Sequence, residues 1–158
     1  SATDDSAIKK QWETLKQEER EAKGHKSVLS DVPLNLPALS RSQKLQKRAS
    51  NVGFDWDDIN DVVAKAEEEL EELKQALAAR EKKAIAEELG DLLFSVVNIA
   101  RHCKEDAESL LRAGNRKFQD RFDYIETRLA TRGLQCSDVG LSEMEELWQA
   151  AKNRGKSD

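Results

Sequence analysis

Five polar residues, Glu88, Asp91, Ser95, Asn98 and His102, recur at spacings of three, four, three and four inside the apolar stretch EELGDLLFSVVNIARH. At about 100° per residue they fall within about 80° of one another on a helix. Leu92, Leu93, Phe94, Val96, Val97, Ile99 and Ala100 occupy nearly all the remaining circumference. A helix apolar nearly all round is expected to be buried, or nearly so, which leaves the polar stripe facing either a cavity or a narrow strip of solvent. The preceding run, Glu67 to Glu72, offers five glutamates in six residues. The same wheel sorts them. Val62, Ala66, Leu70, Leu73 and Leu77 form an apolar arc bordered by Lys65, Glu69 and Glu72, whereas Glu67 and Glu71 lie well round toward solvent and Glu68 is intermediate.

Glu69 and Glu72, then Glu88 and Asp91, are thus acidic pairs at i and i+3 on two helices joined by a short turn. Four carboxylates gathered at a core edge repel unless a cation neutralises them. All are hard oxygen ligands with no Cys or obvious His beside them, which favours Mg²⁺, with Mn²⁺ as a substitute, over Zn²⁺. Further on, Lys117 and Arg121 flank a stripe of Phe118, Phe122, Ile125 and Leu129. These cations are either surface charges paired with Asp120 or Asp123, or the half-site that carboxylate-held metal needs to bind a polyphosphate.

The elements that must position these residues are helical. Helices are expected at 6–23, with an apolar edge of Ile8, Trp12 and Leu15 and a stop at Gly24, and from Leu39 to Ser50, basic through Arg41, Lys44, Lys47 and Arg48. Pro33 and Pro37 mark the connector between them. Further helices are expected from Asp57 to Arg80, capped by Asp55 or Asp57, from Lys83 to Lys104, from Ala107 to Thr131 with a stop at Gly133, and from Ser142 to Asn153 with Ser142 and Glu145 as a capping box. The expected fold is all-α, an antiparallel bundle of four or five helices. Residues 1–38 read as a linker helix and connector, 39–153 as the catalytic helical domain and 154–158 as a disordered tail.

The totals set bounds. The 158 residues suffice for one domain with a core. A net charge of −5 argues against a general nucleic-acid binder. No apolar run approaches the roughly 20 residues needed to span a bilayer, and the N-terminus has no charged-then-apolar leader. Cys103 and Cys136 stand in no CxxC or Cys/His cluster and are expected to be reduced thiols of a cytoplasmic protein.

The acidic segments resemble the MazG-type nucleoside triphosphate pyrophosphohydrolases, whose signature EExxE, spacer, ExxD is met by Glu68, Glu69 and Glu72, then Glu88 and Asp91. NLPALSRSQKLQKRASNVGFDW and AGNRKFQDRF also echo family segments, so that almost the whole chain looks like the C-terminal half of the two-repeat members, including the linker helix before it. The extra glutamate at position 67 departs from the signature and loosens its register. The resemblance implies a helical bundle that dimerises and hydrolyses NTPs or dNTPs to the monophosphate and pyrophosphate with Mg²⁺. It implies Glu69, Glu72, Glu88 and Asp91 as metal ligands, and Lys65, Glu68, Glu87, Asp91, Lys117 and Arg121 lining the nucleotide site. Trp148 corresponds to a late tryptophan near the nucleotide, against the alternative of packing with Leu141, Met144 and Leu147. Trp56 either stacks on a base or staples a helix entry, and the basic face of Arg41, Lys44 and Lys47 is read as solvated. Glu68 or Glu69 is the expected proton acceptor, His102 a supporting or solvent-facing residue, and Asn98 or Ser95 a hydrogen-bonding partner of a ligand carboxylate or the sugar. The competing readings are a non-catalytic helical interaction module, or a dUTP-, dCTP- or phosphoribosyl-ATP-directed hydrolase of the same superfamily. A di-iron bundle is disfavoured because no ExxH pair occurs.

Overall fold

A computed structural model describes residues 2–22 and 27–156. Every regular element among them is helical: α1 (Ala2–Ala22), α2 (Ala38–Asn51), α3 (Ile59–Ala79), α4 (Lys82–His102), α5 (Ala107–Ala130) and α6 (Leu141–Arg154), with a 3₁₀ turn at Cys136–Asp138. None of these helices is long and apolar enough to cross a membrane. Gly24, read as the stop of the first helix, and residues 157–158 of the tail lie outside the described residues. Both cysteines are free thiols. The chain divides into two compact units, Ser1–Glu108 and Ser109–Asp158.

In the first unit, α3 and α4 form the main hairpin. It turns on Arg80, whose left-handed φ of 56° lets the Glu81 N–H reach back to Ala76 O at 3.2 Å and closes the end of α3. The cap at the other end of α3 differs from expectation. Asp58, not Asp55 or Asp57, accepts the Asn60 N–H at 2.8 Å, because the Asp55 carboxylate is engaged with α4. α2 is tied to α4 by amides. Buried Gln46 donates to Phe94 O at 2.9 Å, while Gln43 donates to Glu105 O at 2.8 Å and accepts the Ala107 N–H at 2.9 Å. Arg48 pairs with Asp31 at 2.8 Å and Arg41 donates to Pro33 O at 3.2 Å, so two residues of the basic helix secure the connector. Ile8, Trp12 and Leu15 of α1 are all exposed.

The inward face of α3 is rotated from the one the apolar arc suggested. Val62, Glu69, Leu73 and Ala76 are buried, whereas Leu70 and Leu77 are exposed. α4 is likewise not buried all round: Ser95, Val97 and Asn98 point inward while Leu89, Leu93, Phe94 and Val96 are exposed, Leu93 by 61%. Hydrophobicity alone cannot distinguish a residue that packs within its own chain from one left uncovered by it. Of the polar stripe, Ser95 and Asn98 face the interior, Glu88 and His102 are half-buried and Asp91 is exposed.

In the second unit Ile125 and Leu129 are buried on α5, but Phe118 and Phe122, read as part of the same core stripe, are exposed. The α6 cap also differs. Gly140 holds that position without a side-chain bond, and Ser142 lies inside the helix. The end of α5 closes on Gly133, whose φ of 69° lets Leu134 N–H bond Leu129 O at 3.0 Å.

Candidate metal centre and adjoining pocket

The tight turn sets the register of the acidic pairs. Glu72 and Glu88 lie eight residues on either side of Arg80, and Glu69 and Asp91 lie eleven on either side. Residues equidistant from the turn of an antiparallel helical hairpin stand nearly level, since each helix rises by the same amount per residue. Accordingly Glu69, Glu88 and Asp91 each offer an oxygen within 4.8 Å of the others. Glu72 adjoins this triad, exchanging side-chain hydrogen bonds with Glu69 and Glu88.

The electrostatics are those of carboxylates forced together. Glu69 is 6% exposed. Burial would raise its pKa, but Lys65, at 3.2 Å, and hydrogen bonds with Glu88 and Glu72 hold it below the usual carboxylate range. The Lys65 ammonium is raised, chiefly by its bond to Glu69, and also reaches Glu68 at 3.3 Å. Glu88 carries the complementary strain. Burial, hydrogen bonds with Glu69 and Glu72, and repulsion from both push it up to about 7. Glu69 Oε2 and Glu88 Oε2 are buried without a hydrogen-bond partner. Orphaned, converging anionic oxygens fit a hard divalent cation, which needs about 2.0–2.1 Å contacts to oxygen for Mg²⁺. The donor set therefore fits a hard divalent cation.

Beside the triad opens a pocket of about 220 Å³ lined by Trp56, Val62, Lys65, Glu69, Asp91, Phe94, Ser95 and Asn98. Its acidic end is formed by Glu69 and Asp91 of the carboxylate cluster, and its other walls are aromatic and amide. Trp56 reaches it from the loop before α3 because Asp55 is clamped to α4. Arg101 donates to both Asp55 oxygens at 2.7 and 3.1 Å, and His102 Nε2 lies 2.9 Å from the same carboxylate. Burial would raise Asp55, yet these hydrogen bonds, the Trp56 N–H and the Arg101 charge bring it down to about 2. His102 thus serves the loop and sits away from the triad.

The remaining candidates are placed as follows. Glu68 is exposed beside Lys65, and Glu87 is exposed in a surface hollow with Glu81, Lys82 and Lys83. Lys117, Arg121 and Trp148 belong to the second unit. There Arg121 lies over the Trp148 ring at 5.4 Å and Phe118 meets that ring at 5.5 Å. Neither Lys117 nor Arg121 pairs with Asp120 or Asp123 among the described residues. The apolar walls Val62 and Phe94, and the Asp55–Arg101 clamp, were not singled out in the sequence. The i, i+3 placement of Asn98 and Arg101 was the one local signal for that clamp.

Residues 58–124 match the MazG nucleotide pyrophosphohydrolase domain family. This segment of the chain is similar to the MazG domain. Over 158 residues it is 46% identical to the nucleoside triphosphate pyrophosphohydrolase of Escherichia coli strain K12, covering 98% of this chain and 59% of that protein. The nucleoside triphosphate pyrophosphohydrolase/pyrophosphatase MazG of Thermotoga maritima is 43% identical over 143 residues, 90% of this chain and 54% of its own length. YabN of Bacillus subtilis is 39% identical over 94% of the chain and 30% of its own length. The chain spans little more than half the length of the first two relatives. The MazG match covers α3 and α4, both acidic pairs and most of α5, and so includes Lys117 and Arg121.

Proposed function

We propose that this chain is a MazG-type, Mg²⁺-dependent hydrolase that splits nucleoside or deoxynucleoside triphosphates into the monophosphate and pyrophosphate. The observation that carries the reading is the convergence of Glu69, Glu88 and Asp91, two of them with buried unpartnered oxygens, at the mouth of a pocket with aromatic and amide walls. The names of the Escherichia coli and Thermotoga maritima relatives support it.

In this reading Glu69, Glu88 and Asp91 hold the ion, with Glu72 completing the acidic shell. A divalent ion there would neutralise the phosphates, acidify a water and favour its attack at the α-phosphorus. The side chains do the rest. Lys65, fixed between Glu68 and Glu69, stands where phosphate charge must be received, and Glu68, the more exposed of its two partners, is the carboxylate assigned to accept the water's proton. Glu69 is the weaker base because Lys65 keeps it ionised and occupied. The resemblance assigns Glu87, Lys117, Arg121 and Trp148 to the nucleotide as well.

The test is a panel of the eight common NTPs and dNTPs, with and without Mg²⁺, resolving every phosphate product. Monophosphate and pyrophosphate formed only with metal is the expected result. Diphosphate and phosphate would move the attack to the γ-phosphorus. Turnover of a single pyrimidine dNTP would favour the base-specific members of the superfamily, and no turnover or metal binding the interaction module.

We also propose that the chain pairs with a second copy through the uncovered faces of α3 and α4. Leu70, Leu77, Leu89, Leu93 and Val96 are all exposed there, an apolar face that water disfavours. Leu93→Glu is expected to convert a species of twice the chain mass to a single chain by light scattering. A monomeric wild-type chain would remove the proposal.

A further inference from the structure

Asn98 is 6% exposed, yet only half of its amide is used. Its Oδ1 accepts from Arg101 Nε at 3.1 Å and Nη2 at 2.8 Å. Arg101 is itself held in a fork by Asp55, which also takes the Trp56 N–H at 2.9 Å. A guanidinium has donors and no acceptor, so the amide cannot turn over: the carbonyl must face Arg101 and the NH₂ must face away. Asn98 lines the pocket, and its Nδ2 has no partner among the described residues. That donor is left open to the pocket, where an acceptor on a ligand would complete it.

Position along α4 indicates which part of a ligand reaches it. Ser95 is one turn beyond Asp91, roughly 6 Å along the axis, and Asn98 nearly two turns beyond, roughly 10 Å. A phosphate anchored at Asp91 sets the sugar level with Ser95 and carries the next ring to Asn98. At that depth the walls are Trp56, Phe94 and Val62, surfaces suited to the face of a planar heterocycle. We propose that Asn98 is a specificity-determining residue of the reaction proposed above. Its Nδ2 donates to an acceptor atom, a carbonyl oxygen or ring nitrogen, on the inner edge of the nucleobase. Arg101, held by Asp55, is the positioning residue that fixes the amide as a donor. The same clamp carries Trp56, so one ionic fork sets both the ring wall and the reading group.

The experiment compares wild type with Asn98→Asp on the best substrate and on analogues lacking one base acceptor at a time, as deaza or deoxo nucleotides. Aspartate keeps the size and the Arg101 contact but offers no donor. For wild type, one analogue is expected to lose about tenfold or more in kcat/KM, the range of a single hydrogen bond. Asn98→Asp should suffer a similar loss on the parent and none further on that analogue. Arg101→Lys, which cannot grip Asp55 and Asn98 together, should narrow the ranking of bases by a similar factor while Mg²⁺ still raises the melting temperature. Wild type indifferent to every acceptor deletion, or an Asn98→Asp enzyme still sensitive to the same one, overturns the inference. So does sensitivity confined to the 2′- or 3′-hydroxyl, which would assign Asn98 to the sugar. If Asn98→Asp fails to fold, the wild-type analogue series decides alone. No hydrolysis of any parent nucleotide is a separate result, refuting the proposed reaction and this inference with it.

Discussion

Glu69→Gln is expected to lower kcat by at least about a thousandfold, the scale on which a lost electrostatic partner of the transition state is felt, while the protein stays folded. The substitution preserves volume and removes one charge from the centre of the acidic triad. Glu69 is the most buried of the three and the one that holds Lys65, so its loss affects both the ion and the nearest cation. Without metal, the change relieves Glu88 of a neighbouring anion, and the melting temperature should hold steady or rise. Addition of Mg²⁺ should then raise it far less than in wild type. The informative measurement is the pair of readouts, turnover and metal-induced thermal shift, on one preparation. A variant that keeps full activity would remove Glu69 from the reacting centre, and one that is inactive but still stabilised normally by Mg²⁺ would make its role positional.

The second large effect is a pH-dependent response to metal. Glu88 titrates at about 7 in the folded chain, against roughly 4.3 for a free glutamate. A carboxyl whose pKa is raised by folding adds stability that is complete below the unfolded value and is lost as pH rises through the folded one. Metal-free protein should therefore melt at progressively lower temperature between about pH 5 and pH 8. A divalent cation needs the ionised form and competes with that proton, so stabilisation by Mg²⁺ should be small near the acid end of this window and greatest above it. Asp55, brought down to about 2, acts in the opposite sense and at a different pH: its contribution is present above about pH 4 and lost only in stronger acid. Melting curves across the range, with Mg²⁺ or a chelator, separate the two. A metal effect of the same size at every pH would show that Glu88 does not exchange a proton for the ion, and Glu88→Gln should flatten the metal-free profile.

Much of the acidic site was legible because it is local. The i and i+3 spacings place Glu69 with Glu72 and Glu88 with Asp91, and a short turn is enough to bring the two pairs side by side. Helix positions were legible for the same reason, through runs of helix-forming residues broken by Gly and Pro. What was hidden depends on the rest of the chain. Leu70 and Leu77 look like core on a wheel but are exposed, because nothing in the chain alone covers that flank. Asp55 looks like a helix cap until Arg101 claims it across 46 residues of sequence, after which Asp58 takes the capping place. Ser142 has capping chemistry and lies two residues past the capping position, held by Gly140, too far into α6 to use it. The pocket, finally, required knowing that Ser95 and Asn98 of the α4 stripe turn inward while Asp91 stays exposed, which the spacing left open between a cavity and solvent.

The hairpin about Arg80 imposes a rule on how this domain can change in length. A residue added within α4 between Glu81 and Glu88 would rotate everything beyond it by about 100° and advance it by about 1.5 Å. Glu88 and Asp91 would then swing away from Glu69 together, their own spacing untouched. A residue added at the tip costs only a few tenths of a kcal/mol in closure and leaves the phase of both helices intact. Insertions and deletions that preserve the carboxylate cluster must therefore fall in the turn, or come as matched whole turns in both arms. The length of the spacer is free, but its helical phase is not.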